Sequence, residues 1–112
     1  MTNPKLLRGR TSEIEGYFAI TTVVLNRRPL LQDAETARIA ISEIDNCIAD
    51  GFVESLAWVV MPDHLHWLFV LKTGRLGDVI QAMKSRGARA INVAKGSQGQ
   101  FWQRGFYDHR LR

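Results

Sequence analysis

Met61-Pro62-Asp63-His64-Leu65-His66-Trp67-Leu68-Phe69-Val70-Leu71 is the stretch of this 112-residue chain whose reading decides its fold. Pro62-Asp63 is a turn signal. The residues after it are almost wholly apolar, β-branched or aromatic, as a strand requires. Phe52 to Met61 has the same character, so Phe52–Met61 and His64–Lys72 read as two strands of an antiparallel hairpin closed by the Pro-Asp turn. Side chains alternate faces along a strand, which puts His64 and His66 on one face and Leu65 and Trp67 on the other. Two imidazoles stacked in this way can chelate a metal ion. They can equally line the polar side of a half-exposed strand, and the spacing alone does not separate these readings. Leu68 and Val70 share the histidine face. Left bare, they extend an apolar patch beside the pair.

The rest of the chain builds outward from this hairpin. Upstream, Tyr17 to Leu25 reads as a strand, broken by Asn26-Arg27-Arg28-Pro29. Asp33 is placed to cap a helix running to about Asp50, with Ala37, Ile41, Ile44 and Ile48 as its apolar stripe and Gly51 as its stop. Downstream, a second helix over about Leu76–Ala94 buries Leu76, Val79, Ile80, Met83, Ala90 and Ile91 and turns Lys84, Arg86 and Arg89 outward. Gly96 to Gly99 reads as a flexible loop, and Phe106 to Leu111 as a last strand. The order β-α-β-β-α-β is that of the ferredoxin-like α+β arrangement, an antiparallel sheet with both helices on one face. Residues 1–15 are expected to be a flexible arm preceding one domain over 16–112. Many unrelated functions use this fold, so function must come from the site.

Composition narrows the possibilities. A chain of this length makes one modest core without covalent staples. The lone Cys47 has no intramolecular partner, which fits a reducing cytoplasm, and its place on the first helix makes it a small core residue. No apolar run is long enough to span a membrane, so a soluble, cytoplasmic protein with no membrane partner is expected. Charge is unevenly distributed. Residues 1–71 carry six Lys/Arg against nine Asp/Glu, net −3, whereas residues 72–112 carry nine against two, net +7. A basic block of this kind is the electrostatic footprint of a polyanion, nucleic acid first among them.

With the hairpin and its neighbours in place, four stretches carry a resemblance. Met61-Pro62-Asp63-His64-Leu65-His66 resembles the HUH motif (histidine, hydrophobic residue, histidine) of the single-tyrosine HUH transposases, and is most similar to the REP-associated tyrosine transposases. Asn26-Arg27-Arg28-Pro29-Leu30-Leu31, Lys84-Ser85-Arg86-Gly87-Ala88-Arg89-Ala90-Ile91-Asn92 and Phe101-Trp102-Gln103-Arg104-Gly105-Phe106-Tyr107-Asp108-His109 agree with the family in order and spacing. The resemblance covers nearly everything from Tyr17 to Arg112. It implies DNA strand transfer: His64 and His66 hold Mg²⁺ or Mn²⁺ against the scissile phosphate, and a tyrosine attacks to leave a 5′-phosphotyrosine and a free 3′-OH. Imidazole suits Mn²⁺ better than the harder Mg²⁺.

The chain also departs from the family. There the nucleophilic tyrosine, and a third metal ligand within a turn of it, lie on a helix after the last strand; this sequence stops at Arg112. Tyr17 and Tyr107 are its only tyrosines. Tyr107 matches a family position usually held by an aromatic strand residue, so a structural role is expected, with attack on phosphate as the minor alternative. The expectation is therefore a DNA-binding core, a fragment or a truncated descendant, whose cleavage activity belongs to the full-length family.

Binding to single-stranded or hairpin DNA, by a monomer or a homodimer, has its own candidates. Arg27, Arg28, Lys84, Arg86, Arg89, Lys95, Arg104, Arg110 and Arg112 offer phosphate contacts. Trp102 is a candidate for base stacking, though Trp102 and Phe106 can instead pack in the core. Asp63 is either a partner that orients a histidine or a plain turn residue. Two other classes compete with the transposase reading. One is a non-catalytic nucleic-acid module in which the histidines are ordinary strand residues. The other is a phosphodiesterase that uses water, weakened by the lack of a carboxylate cluster for a second metal.

Overall fold

Four strands and two helices form where the hydrophobic periodicity switches between two and 3.6 residues. In the computed structural model, which describes residues 13–111, these are β1 (Tyr17–Val23), α1 (Ala34–Ala49), β2 (Val53–Met61), β3 (His64–Leu71), α2 (Leu76–Lys95) and β4 (Tyr107–Leu111). The sheet order is β2-β3-β1-β4 and every neighbouring pair is antiparallel. This is the α+β, ferredoxin-like arrangement expected from the element order. Among the described residues, no helix is long and apolar enough to cross a membrane. The expected arm over residues 1–15 falls mostly outside the described residues, as does Arg112. Its end is held in place: the Glu15 N–H donates to Leu71 O at 2.7 Å and Glu13 Oε1 accepts from the Leu76 N–H at 3.1 Å.

Strand parity sets the core. Phe18, Ile20 and Thr22 of β1 and Leu65, Trp67, Phe69 and Leu71 of β3 are all buried, and the apolar ones join residues of both helices in one cluster. Both helices therefore cover the same sheet face. The opposite face carries Tyr17, Ala19, Thr21 and Val23 on β1 and His64, His66, Leu68 and Val70 on β3. Of the two apolar residues expected to lie bare there, Leu68 is half-buried. Val70, flanked in the ladder by Tyr17 and Glu54, is buried.

The ends of α1 form as the sequence requires. Asp33 accepts from the Thr36 N–H at 3.0 Å, satisfying an otherwise orphaned donor, and Gly51 follows the helix with φ +78°. Its buried face differs from the expected stripe. Thr36, Ala40, Glu43, Ile44 and Cys47 are buried, Ala37 and Ile41 are only half-buried, and Ile48 is exposed. The helix is rotated by about one residue, roughly 100°, because it seats Glu43 against α2. There the Arg86 guanidinium lies 3.0 Å from Glu43 and 3.3 Å from Asp50. Cys47 is wholly buried, as expected of a core residue, and burial pushes its thiol pKa up.

On α2 the expected apolar side is observed, but of the three cations expected to face outward only Arg89 is exposed, and Arg86 is half-buried against Glu43. Lys84 is buried rather than outward-facing: its ammonium donates to Gln103 O at 2.8 Å and also to Gly105 O. Burial lowers its pKa, and two carbonyls compensate the desolvation. Lys84 thus fastens the segment before β4 to the helix. Trp102 is also a core residue. It is 4% exposed, packs edge-on against Phe101 and bridges to Val24, so it presents no face for a base.

Candidate functional site at the histidine face

The tip of the β2–β3 hairpin is built into the fold by its backbone. Pro62 O accepts from the Leu31 N–H and Asp63 O from the Val24 N–H, both at 2.9 Å. The chain after β1 reaches that position through two left-handed residues, Asn26 (φ 58°) and Arg27 (φ 52°). A positive φ is uncommon for arginine. Here it brings the Arg27 guanidinium to 3.2 Å from the Asp63 carboxylate. The other oxygen of Asp63 lies 2.6 Å from His64 Nδ1. The bond to His64, followed by that to Arg27, holds the Asp63 pKa below the usual carboxylate value.

His66 is oriented by a different partner, the Thr21 hydroxyl on β1, 2.8 Å from its Nδ1. The two rings lie edge to face with centroids 4.6 Å apart. Both Nδ1 atoms are therefore engaged by the protein, and the two Nε2 atoms are left for an outside ligand. A metal-binding imidazole is typically held this way, through a hydrogen bond from its other ring nitrogen. The pair thus fits a divalent cation as two nitrogen donors. Among the described residues no group of three His, Cys, Asp or Glu side chains is arranged to hold a metal ion, so further ligands would be oxygens of phosphate or water.

Register places other side chains around the pair. Val59, His66, Thr21 and Tyr107 form one row across the open face, and Ala57, Leu68, Ala19 and His109 form the next. Val59, Met61 and Tyr107 are exposed at 53%, 42% and 61%. Strands are spaced at about 4.8 Å, so Tyr107 stands two strands, about 10 Å, from His66 with Thr21 between them. No hydrogen bond to a base engages its phenol among the described residues, and an adjacent base is one way a phenolic nucleophile is activated.

The cationic candidates separate into two groups. Arg27 is paired with Asp63, Arg86 with Glu43 and Asp50, and Lys95 with Asp33 at 3.0 Å and Glu35 at 3.5 Å. Their charge is largely compensated within the chain. Arg28 donates only to the carbonyls of Leu25 and Gln100, while Arg89, Arg104 and Arg110 are exposed with no carboxylate partner among the described residues. Arg110 lies over the Phe18 ring, 5.7 Å from its centroid. The structure therefore brings His64, His66, Asp63 and Arg27 together and leaves Arg28, Arg89, Arg104 and Arg110 as the uncompensated cations. Sequence reading missed Thr21. A threonine in a strand is unremarkable until the β1–β3 register sets it beside a histidine.

Comparison with known proteins identifies the family and the fold. A family model described as "Transposase IS200 like" matches residues 14–110. A solved structure of a REP-associated tyrosine transposase bound to a REP hairpin superposes with a TM-score of 0.70 at 25% identity, covering 88% of this chain and 58% of that one. A candidate transposase from Deinococcus radiodurans R1 superposes with a TM-score of 0.71 at 20% identity, covering 86% of this chain and 78% of the other, a likeness of fold. No curated protein matches the chain.

Proposed function

The chain belongs to the IS200-like transposase family, and from that premise we propose that it binds single-stranded or hairpin DNA at the histidine face, with His64 and His66 as ligands to Mg²⁺ or Mn²⁺. It spans 58% of the length of the REP-associated transposase it matches. Strand cleavage and transfer through a phosphotyrosine are proposed as the chemistry this fold serves in the family. The observation that carries the reading is the histidine pair itself: each Nδ1 is engaged by a separate residue, Asp63 or Thr21, and neither Nε2 has a hydrogen-bond partner among the described residues.

When bound, a divalent ion supplies Lewis-acid polarisation of a phosphate oxygen. The chain's own residues do the rest. Asp63 keeps the Nδ1 proton on His64, which leaves the Nε2 lone pair free to bind. Arg27 in turn fixes Asp63. Arg28 and Arg104 neutralise backbone phosphates, which positions a strand without reading its sequence. Arg89, on α2, and Arg110, paired with Phe18, lie on the helix-covered side of the sheet and are not part of this surface.

Calorimetry with Mn²⁺ and a DNA hairpin tests this. Binding should be lost in His64→Ala and in His66→Ala while both variants keep the wild-type melting profile. A second reading, a nucleic-acid module without metal chemistry, is favoured by the absence of a third converging ligand among the described residues. Unaltered DNA binding with no uptake of Mn²⁺ by the wild type would establish it instead.

A further inference from the structure

Three cavities lie in succession between α2 and His66, each sharing lining residues with the next. The first, of about 570 Å³, runs between α2 and the segment before β4, with Gln81 and Ser85 on one wall and Gln103, Arg104 and Gly105 on the other. A second, of about 180 Å³, shares Gln103, Arg104 and Gly105 and opens onto Tyr107 and Thr21. A third, of about 150 Å³, shares Thr21 and ends at His66. Residues 103–105 are thus a low ridge with a groove on either side.

That ridge is fixed from both directions. Behind it, the Lys84 ammonium donates to the carbonyls of Gln103 and Gly105. Beneath it, the Gln103 N–H donates to Val23 O at 2.7 Å. Arg104 stands exposed on the ridge without a carboxylate partner among the described residues. Tyr107, 61% exposed, comes next, in the ladder row of Thr21 and His66. The register puts Asp108 on the opposite face, which leaves no carboxylate on β4 to repel a phosphate here. A cation followed by an exposed aromatic on a rigid sheet face is the arrangement by which proteins hold unpaired nucleotides.

We infer that the ridge and β4 form a guide for a single strand leading to the histidine pair, in which Arg104 contacts a phosphate and the Tyr107 ring stacks on an unpaired base one step from the site. This rests on the DNA-binding reading above and adds to it the residues that receive the single-stranded portion. It gives Tyr107 a binding role carried by its ring rather than its hydroxyl.

The test uses a fluorescein-labelled DNA hairpin, blunt or extended by a six-nucleotide thymine tail, titrated with wild type, Tyr107→Ala, Tyr107→Phe and Arg104→Gln. Melting profiles confirm that each variant is folded. The wild type should bind the tailed hairpin more tightly than the blunt one. Tyr107→Ala should lose at least about fivefold on the tailed hairpin alone, the lower bound for one stacked base. Tyr107→Phe should retain that affinity, and Arg104→Gln should weaken tailed binding and flatten its salt dependence. Equal wild-type affinity for the two hairpins, or a Tyr107→Ala variant that binds the tail normally, overturns the guide while DNA binding stands. Loss in Tyr107→Phe overturns it too, because the hydroxyl would then be the acting group. Failure of the wild type to bind either hairpin at low salt removes the DNA-binding reading, and the guide with it.

Discussion

Replacing Gly87 by alanine should make this protein more stable, although Gly87 is buried in the middle of α2 and faces the other helix. A Cβ built there meets Glu43 Cγ at 3.5 Å and Trp102 Nε1 at 4.0 Å, both ordinary contact distances, so nothing has to move. Alanine exceeds glycine in a helix interior by about 0.8–1.0 kcal/mol, chiefly because the unfolded chain has less freedom to lose. Burying one more methyl adds at most about 0.8 kcal/mol. The new methyl also sits near the Trp102 indole N–H, which is buried with no hydrogen-bond partner, and this offsets part of the gain. A net stabilisation of about 1 kcal/mol follows, worth roughly 4 °C in Tm for a domain of this size. Gly16→Ala is the opposing control. Its Cβ would lie 2.9 Å from the backbone oxygen of Glu13, which has no flexible end to yield, so that variant should melt below wild type. Thermal and urea unfolding of both variants measure the effect. A Gly87→Ala protein that melts below wild type would refute the packing argument, since helix propensity has a known sign.

Two other outcomes follow from the site and from the start of α1. Asp63→Ala removes the carboxylate that orients His64 and should weaken Mn²⁺ binding by about 10- to 100-fold, the usual effect of deleting such a partner, with Asp63→Asn in between; unchanged affinity in calorimetry would show that the 2.6 Å contact does not serve the metal. The Asp33 carboxyl is lowered to about 2 from an ordinary 3.8, first by the Thr36 backbone N–H and then by Lys95. A depressed folded-state pKa means that its stabilising contribution is complete above about pH 4 and is lost as pH falls toward 2. Urea midpoints between pH 5 and pH 2.5 should therefore fall less steeply in Asp33→Asn than in wild type, and equal slopes would contradict the role of this cap.

Much of the architecture was legible because its determinants are local. The Pro62-Asp63 turn, the Asp33 cap and the Gly51 stop each act within a few residues, and each lies where the periodicity expected it. The site was legible only in part. Parity along β3 is a property of one strand, so the shared face of His64 and His66 could be read directly. The same reasoning misjudged Lys84 and Trp102. A lysine between serine and arginine on a helix reads as solvated, and nothing local reveals two backbone carbonyls waiting 19 and 21 residues downstream. Trp102, beside Gln103 and Arg104, read as a stacking candidate until its bridge to Val24 buried it.

The sequence by itself determined the element order, the closing hairpin and the pairing of two imidazoles on one strand face, because periodicity, turn chemistry and side-chain alternation operate over short distances. Only the tertiary structure decided which partner orients each imidazole, which cations lack a carboxylate partner among the described residues, and that Tyr107 shares a row with His66. Those facts depend on the register between β1, β3 and β4 and on the rotation of α1 against α2, which are set by packing of the whole core. Pairs such as Thr21 and His66, 45 residues apart along the chain, meet only once that packing is complete.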